Sequence, residues 1–240
     1  MANNYFRFKQ FVIQQDRCAM KVGTDGTLLG AWVSAGDCRN ILDVGTGAGL
    51  IALMLAQRNP EAAIDAVDID TDACSQAKEN VAGSPFAGRI HVVHASFADY
   101  ASTTTSTYDL IVSNPPYFVR SLKNPDMQRR IARHADTLPL EELMEKGRRL
   151  LSPDGRMAFI LPADREQELR ALACGKGLHI VRQTDVVPVS GGAAKRLLVE
   201  LSASPTASIE KDTLSIEKAH GEYSQAYIAL TKDFYLKMEE

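Results

Sequence analysis

The sequence has no apolar run that approaches the roughly 18 residues needed to cross a bilayer, which argues against a membrane-spanning protein. Residues 1–11 also lack the long apolar core of a secretory signal peptide, since Arg7 and Lys9 stand there among aromatic residues. We therefore expect a location in the cytosol.

Cysteine and histidine are scarce and scattered along the chain. The four cysteines include no CxxC pair, and the five histidines do not cluster. This spacing gives neither a disulfide framework nor a metal site, so we expect free thiols and no bound metal.

The chain has no overall excess of positive charge, because its formal net charge is -3. One segment departs from this balance: residues 118–134 carry five basic side chains against Asp126 alone, a local charge of +4 that leaves -7 for the rest. By itself such a run is usually a solvated face, but beside a binding site it would contact phosphates. Its basic residues are Arg120, Lys123, Arg129, Arg130 and Arg133.

The 240 residues, 45% hydrophobic and 24% charged, suit one soluble globular domain with a sizeable core. No internal repeat is visible. We expect a single domain over 1–240, with an N-terminal segment, 1–35, that flanks the site. A C-terminal extension, 203–240, is expected to end in a closing helix over 223–236.

Short apolar runs alternate with segments of helical periodicity, which predicts βαβ units and a doubly wound, mostly parallel α/β sheet. Two later strands are joined by a turn that contains Gly191-Gly192, and they should pair antiparallel at one edge. Asp164 is expected to cap a helix. The predicted strands are 40–44, 64–67, 90–93, 109–112, 156–161, 181–187 and 196–201; the helices are 28–32, 50–56, 72–81, 140–151 and 164–173.

A glycine-rich turn follows the first strand of the alternating pattern, at Asp43-Val44-Gly45-Thr46-Gly47-Ala48-Gly49-Leu50. Glycine lets a ligand approach the main chain closely. Leu50 breaks the GxGxxG fingerprint of dinucleotide folds, and Asp43 would repel a pyrophosphate but accept hydrogen bonds from an ammonium group. The turn therefore indicates a ligand other than a nicotinamide dinucleotide, with a tight turn that binds nothing as the alternative.

Two acidic positions follow the second strand. Asp68 stands where a carboxylate binds both hydroxyls of a ribose. Asp70 and Asp72 more often start the next helix as capping residues.

A stiff polar motif, Asn114-Pro115-Pro116-Tyr117, ends the fourth strand. The Asn114 side-chain oxygen and the Pro115 carbonyl can each accept one N–H of a planar amino group, which aims the nitrogen lone pair at an electrophile. Tyr117 can stack on a base, worth about 1–3 kcal/mol in comparable sites. The alternative is a plain turn, since Asn-Pro commonly begins one.

These motifs together resemble class I methyltransferases that carry the (D/N/S)PP(Y/F) motif of amino-group methylation. Within that class the chain resembles the bacterial tRNA(Val) adenine-37 N6-methyltransferase family. The resemblance extends over nearly the whole chain, and its most specific part is the opening. It is carried by residues 8–11, 16–32, 114–117 and 223–227.

The resemblance implies a class I methyltransferase (Rossmann-like) fold with a seven-stranded sheet, S-adenosylmethionine as cofactor and N6 of adenine 37 in tRNA as target. It also implies that Lys21, Gly23, Thr24 and Asp25 lie across the cofactor pocket, near its methionine end. For Asp25, capping of the helix at 28–32 is the alternative. Cofactor contacts are then expected from Asp43, Gly45, Gly47, Asp68 and Asn114.

The chain departs from that family after the third strand, where relatives often carry an acid that binds the cofactor's adenine. Here Ser96 occupies that position and Phe97 follows it. We expect Ser96 to hydrogen-bond the adenine and Phe97 to stack on it, with Asp99 as the alternative source of a carboxylate contact.

The motif Asn-Pro-Pro-Tyr also serves enzymes that methylate a glutamine amide in release factors, and close variants serve guanine N2 in rRNA. The basic segment favours RNA, because a peptide substrate needs no such patch. A non-catalytic RNA-binding protein with a retained methyltransferase fold is a further alternative, and a nicotinamide-dependent oxidoreductase is disfavoured by the missing GxGxxG and by Asp43. The expected substrate contacts are Pro116, Tyr117, Arg120, Arg129, Arg130 and Arg133, with Arg7, Lys9, Lys195 and Arg196 extending the surface.

Overall fold

The computed structural model describes residues 3–18, 20–116 and 138–238. Its strands are β1 Tyr5–Arg7, β2 Val12–Gln14, β3 Asn40–Val44, β4 Ala63–Asp68, β5 Ile90–His94, β6 Tyr108–Ser113, β7 Leu151–Pro162, β8 His179–Val189, β9 Arg196–Ser202, β10 Glu210–Ala219 and β11 Glu222–Tyr223. Its α-helices are α1 Thr24–Trp32, α2 Leu50–Arg58, α3 Thr71–Ala82, α4 Phe97–Thr103, α5 Leu140–Leu150, α6 Glu166–Gly175 and α7 Gln225–Thr231.

The central sheet is doubly wound, as predicted. Its strand order is β11-β10-β8-β9-β7-β6-β3-β4-β5, and β5, β4, β3, β6 and β7 run parallel. Alternate residues of each strand face opposite sides: Ile41 joins the core under α1, α2 and α3, while Leu42 joins the core under α4, α5 and α6. The strand order reverses between β3 and β6, the point at which such sheets bind ligands.

The predicted count of seven strands is wrong, because β10 and β11 extend the sheet to nine strands within the described residues. The antiparallel pair β8–β9 is present, but β10 pairs parallel with β8 on its outer side. The segment that forms β10 lies in the C-terminal extension, where the sequence predicted no strand. Only Leu214 of β10 is buried, so the strand lacks the hydrophobic alternation that would mark it in the sequence.

Helix α1 begins at Thr24, four residues before the predicted start at 28. The helix lies close against α2: a Cβ on Gly30 would stand 2.9 Å from the Met54 sulfur, and one on Gly26 would stand 3.1 Å from a Leu50 methyl. Two glycines on one face of α1 therefore let the backbones of these two helices approach.

Asp164 does not cap a helix as predicted. It lies within the 3-10 turn Ala163–Arg165, and α6 begins after Arg165 without a side-chain cap. Strand β7 also begins at Leu151, several residues before the predicted start at 156.

The N-terminal hairpin β1–β2 packs on the end of the chain. The rings of Phe8 and Tyr235 stack with centroids 5.8 Å apart, and the Lys9 amide donates to the Phe234 carbonyl at 2.8 Å. The closing helix is shorter than the predicted 223–236, because α7 ends at Thr231 and Phe234 is buried from an irregular segment.

No helix within the described ranges has the length and apolar character required to cross a membrane. Cys18, Cys38, Cys74 and Cys174 are all free. In the same part of the chain, no three acidic, histidine or cysteine residues come together as a metal site would require.

Candidate active site

The glycine turn after β3 forms the floor of the site. Gly45, Gly47 and Gly49 have φ values of 73°, 57° and 84°, in the left-handed region that other residues rarely adopt. The amides of Gly45 and Thr46 donate to the Val67 carbonyl at 2.8 and 3.1 Å, which fixes the turn to the end of β4. Apart from its chain neighbours, no atom of the described residues would lie within 4 Å of a Cβ on Gly47, so space is open beside this residue.

Asp43 lies beneath the turn and is fully buried. Its Oδ2 accepts hydrogen bonds from the Thr46 hydroxyl at 2.7 Å and the Ala52 amide at 3.2 Å, while Oδ1 is buried and has no partner among the described residues. Burial raises the pKa of Asp43 to about 7, with the hydrogen bonds from Thr46 and Ala52 opposing the rise and the charge on Asp68 adding a small part to it. Asp43 therefore supports the turn from below, rather than lining the cavity wall.

Asp68 ends β4 and contacts both neighbouring loops. Its Oδ2 accepts from the Gly47 amide at 2.8 Å, and its Oδ1 accepts from the Asp70 amide at 2.9 Å. Asp70 caps α3 as predicted, accepting from the amides of Asp72 and Ala73. The Asp68 carboxylate thus stands at the edge of the glycine turn, on the wall of the cavity.

A cavity of about 430 Å³ opens at the carboxyl ends of β3, β4 and β6. It brings together most of the predicted cofactor residues, which come from five separate parts of the chain. Lining the cavity are Lys21, Gly23, Thr24, Gly45, Gly47, Asp68, Ser96, Phe97, Asn114 and Pro116.

Ser96 and Phe97 line this cavity from the start of α4. The Ser96 hydroxyl accepts from the Asp99 amide at 3.0 Å and donates to the Asp99 carboxylate at 2.6 Å, so it caps the helix. Phe97 is buried. Asp99 is absent from the cavity lining among the described residues and contacts the site through Ser96.

Asn114 follows β6 and is held at the point where β6 and β3 both end. The preceding Ser113 is fully buried, and its hydroxyl donates to the Val44 carbonyl at 2.7 Å. Asn114 Oδ1 is buried and accepts no hydrogen bond from any described residue. Pro116 lines the cavity, whereas Pro115 is buried beside it and is absent from the lining.

The opposite wall is the start of α1, where Asp25 pairs with Arg196. The Arg196 Nε lies 2.7 Å from Asp25 Oδ2, and both side chains line the cavity. Arg196 is the first residue of β9, which runs antiparallel to β7 and so begins where β7 ends, opposite Pro162. The alternative role of Asp25, capping of α1, is not observed, because Gly23 takes the N-cap position and Asp25 lies in the first turn.

Five residues of the predicted site lie outside the described residues, namely Tyr117, Arg120, Arg129, Arg130 and Arg133. The sequence analysis also missed cavity residues with no chemical motif, among them Cys18, Met20, Ile69 and Leu138. Ile69 alone had a signal, because it directly follows Asp68 at the end of a strand.

The chain matches known methyltransferases in sequence and in fold. The family model described as "Methyltransferase small domain" matches residues 19–174. The tRNA1(Val) (adenine(37)-N6)-methyltransferase of Parabacteroides distasonis is 53% identical over 99% of this chain and 100% of that protein. The protein of the same name from Phocaeicola vulgatus is 50% identical over the same shares.

Solved structures agree on the fold. A crystal structure described as a predicted O-methyltransferase from Agrobacterium tumefaciens superimposes with a TM-score of 0.64 at 18% identity, covering 88% of this chain and 96% of that one. Its identity is too low to carry more than the fold. The full-length relatives and the family model show that this chain belongs to the family of tRNA1(Val) (adenine(37)-N6)-methyltransferases, within the methyltransferase small domain family.

Proposed function

We propose that this chain transfers a methyl group from S-adenosylmethionine to N6 of adenine 37, next to the anticodon, in tRNA(Val). The observation that carries the proposal is Asn114 Oδ1, a buried acceptor without a described partner on the wall of the cavity. A buried acceptor is costly to leave unpaired, so this atom is suited to a donor supplied by a ligand. An exocyclic amino group is such a donor.

The residues around the cavity fit the cofactor. Asp68 would hold the ribose hydroxyls, Phe97 and Ser96 would contact the adenine, and the open space beside Gly47 would admit the ligand to the main chain. Lys21, Gly23 and Thr24 would line its methionine end. When bound, S-adenosylmethionine supplies an electrophilic methyl group on a sulfonium. Asp43 in its ionised form would stabilise the cationic ligand from beneath the turn.

The chain's own part in the chemistry is to orient a poor nucleophile. The lone pair of the adenine amino group is delocalised into the ring. Asn114 Oδ1 and the Pro115 carbonyl would each accept one N–H, which holds both hydrogens aside and favours a pyramidal nitrogen. Tyr117 and Pro116 would hold the base in place. Such catalysis depends on positioning and electrostatics, and it needs no strong general base.

The choice of tRNA rests on the relatives and on the basic segment. The relatives at 50% and 53% identity are named for adenine 37 of tRNA1(Val). The bases of an anticodon loop can be splayed out, which suits a pocket that must enclose one amino group. Arg120, Arg129, Arg130 and Arg133 would contact phosphates around it. Such an enzyme would act in the cytoplasm, where its tRNA is found.

The variant Asn114→Ala tests the mechanism. We expect it to lose methyl transfer by at least about a hundredfold, since removal of one preorganised hydrogen-bonding group, an oxyanion-hole donor, costs about 2.7–4 kcal/mol in acyl-transfer enzymes. Calorimetry should show S-adenosylmethionine binding close to that of the wild type, because Asp68 and the glycine turn are unchanged. Normal turnover by this variant would refute the assigned role of Asn114.

A further inference from the structure

Helix α3 carries two buried amide side chains, Gln76 and Asn80, on one face. They are four residues apart and 1% and 3% exposed, so both point into the protein rather than to solvent. Neither side chain belongs to a motif that the proposed chemistry uses. Both make their hydrogen bonds to other segments of the chain.

Asn80 joins two segments that lie on different sides of the cofactor cavity. Its Nδ2 donates to the Gln14 carbonyl and to the Ala48 carbonyl, both at 2.9 Å. Its Oδ1 accepts from the Gln14 amide at 2.8 Å. Ala48 lies in the glycine turn, and Gln14 ends β2, so one buried side chain links the floor of the cavity to the N-terminal segment.

The link continues from Gln14 to the cavity wall. Gln76 Oε1 accepts from the Arg17 amide at 2.9 Å, and its Nε2 donates to Asp16 Oδ1 at 3.1 Å. Gln15 is buried, and its Oε1 accepts from the Val22 amide at 2.8 Å. These bonds fix the main chain on both sides of the described wall residues 18 and 20–22.

We propose that Asn80 is a positioning residue that holds the glycine turn and the N-terminal wall at the separation the cofactor requires. Asn80 is absent from the described lining of the cavity, so it acts through Ala48 and Gln14. A ligand that contacts both walls binds most tightly when the distance between them is already fixed. Binding then spends less free energy on ordering these segments. The inference rests on the proposed function for the identity of the ligand.

The chain offers a matched control in Asn59. This asparagine is 2% exposed, and its Nδ2 donates to the carbonyls of Ala35 and Cys38, both at 2.7 Å. Its Oδ1 accepts from the Glu61 amide at 2.9 Å. Asn59 therefore makes the same kinds of bonds as Asn80 at the end of α2, away from the described cavity lining.

The experiment compares N80A with N59A in the full chain. We expect both to lower the unfolding temperature by similar amounts, because each removes a buried amide side chain whose oxygen and nitrogen both form hydrogen bonds with the main chain. N80A should weaken S-adenosylmethionine binding about tenfold, about 1.4 kcal/mol, by calorimetry at a temperature where both variants are folded. KM for the cofactor should rise in proportion, with kcat at saturating cofactor within about twofold of wild type. N59A should bind like the wild type.

A second measurement uses the wild type and so does not depend on how well a variant folds. In hydrogen exchange, cofactor binding should slow the amides of Gln14, Arg17 and Val22 together with those of the glycine turn. The inference would be overturned if the cofactor protected the glycine turn alone. It would also be overturned if N80A and N59A lost equal affinity for the cofactor, or if N80A kept its full affinity. Each of these results would leave the proposed function standing. A wild-type protein that binds no S-adenosylmethionine would overturn both.

Discussion

The buried carboxyl of Asp43 should make the stability of this protein depend on pH in a direction opposite to that of an ion-paired aspartate. Burial raises its pKa from 3.8 to about 7, so the folded state keeps a proton that the unfolded chain releases. One pKa unit corresponds to about 1.4 kcal/mol, so the full shift corresponds to about 4 kcal/mol. The contribution of Asp43 to the free energy of unfolding therefore falls as the pH rises from about 3.8 to about 7. Above pH 7 this contribution no longer changes.

The variant Asp43→Asn isolates this effect. An asparagine oxygen placed where Oδ2 lies can accept from Thr46 and Ala52, and its amide then takes the place of the unpartnered Oδ1. Any cost of that unpaired amide does not vary with pH. The wild type should therefore lose about 2.5 kcal/mol relative to Asp43→Asn between pH 5 and pH 8.

Urea unfolding at pH 5, 6, 7 and 8 measures this difference. The comparison uses the change with pH rather than the absolute stability of either protein. Curves of stability against pH that run parallel for the two proteins would refute the assignment of a raised pKa to Asp43.

Three further predictions concern the cavity and the basic segment. Asp68→Asn should weaken S-adenosylmethionine binding at least about tenfold by calorimetry, because it removes one of the two acceptors offered to the ribose; equal affinity would remove Asp68 from the site. Gly47→Ala should lower the unfolding free energy by about 1–2 kcal/mol, because alanine is strained at a φ of 57°, and it should also weaken S-adenosylmethionine binding. Full affinity in this variant would place the ligand elsewhere. The double change of Arg129 and Arg130 to Ala should reduce the slope of log affinity for tRNA against log salt by about 2; an unchanged slope would exclude their contact with phosphate.

The sequence was most informative where strands are buried on both faces. The strand at 40–44 was predicted at its observed bounds, and the fourth and fifth parallel strands followed from short apolar runs next to helical patterns. The glycine turn and Asp68 were found because positive φ and a carboxylate at a strand end each demand particular residue types. These local requirements are readable without knowledge of the rest of the fold.

Long-range pairing could not be read in the same way. Strand β10 was missed because only Leu214 is buried, and its place in the sheet depends on β8 rather than on its own composition. Arg196 was assigned to an RNA-binding surface, but its distance of 2.7 Å from Asp25 spans 171 positions of sequence. Asn80 carries no motif at all, and its importance is visible only from its contacts with Gln14 and Ala48.

The central claim is tested most directly by methyl transfer from labelled S-adenosylmethionine to tRNA isolated without its modification at position 37. The product is digested to nucleosides and the labelled position mapped. The account predicts label in N6-methyladenosine at position 37 of tRNA(Val), and its loss with Asn114→Ala. Absence of label from tRNA, in parallel reactions where an offered release factor or rRNA is labelled instead, would contradict it.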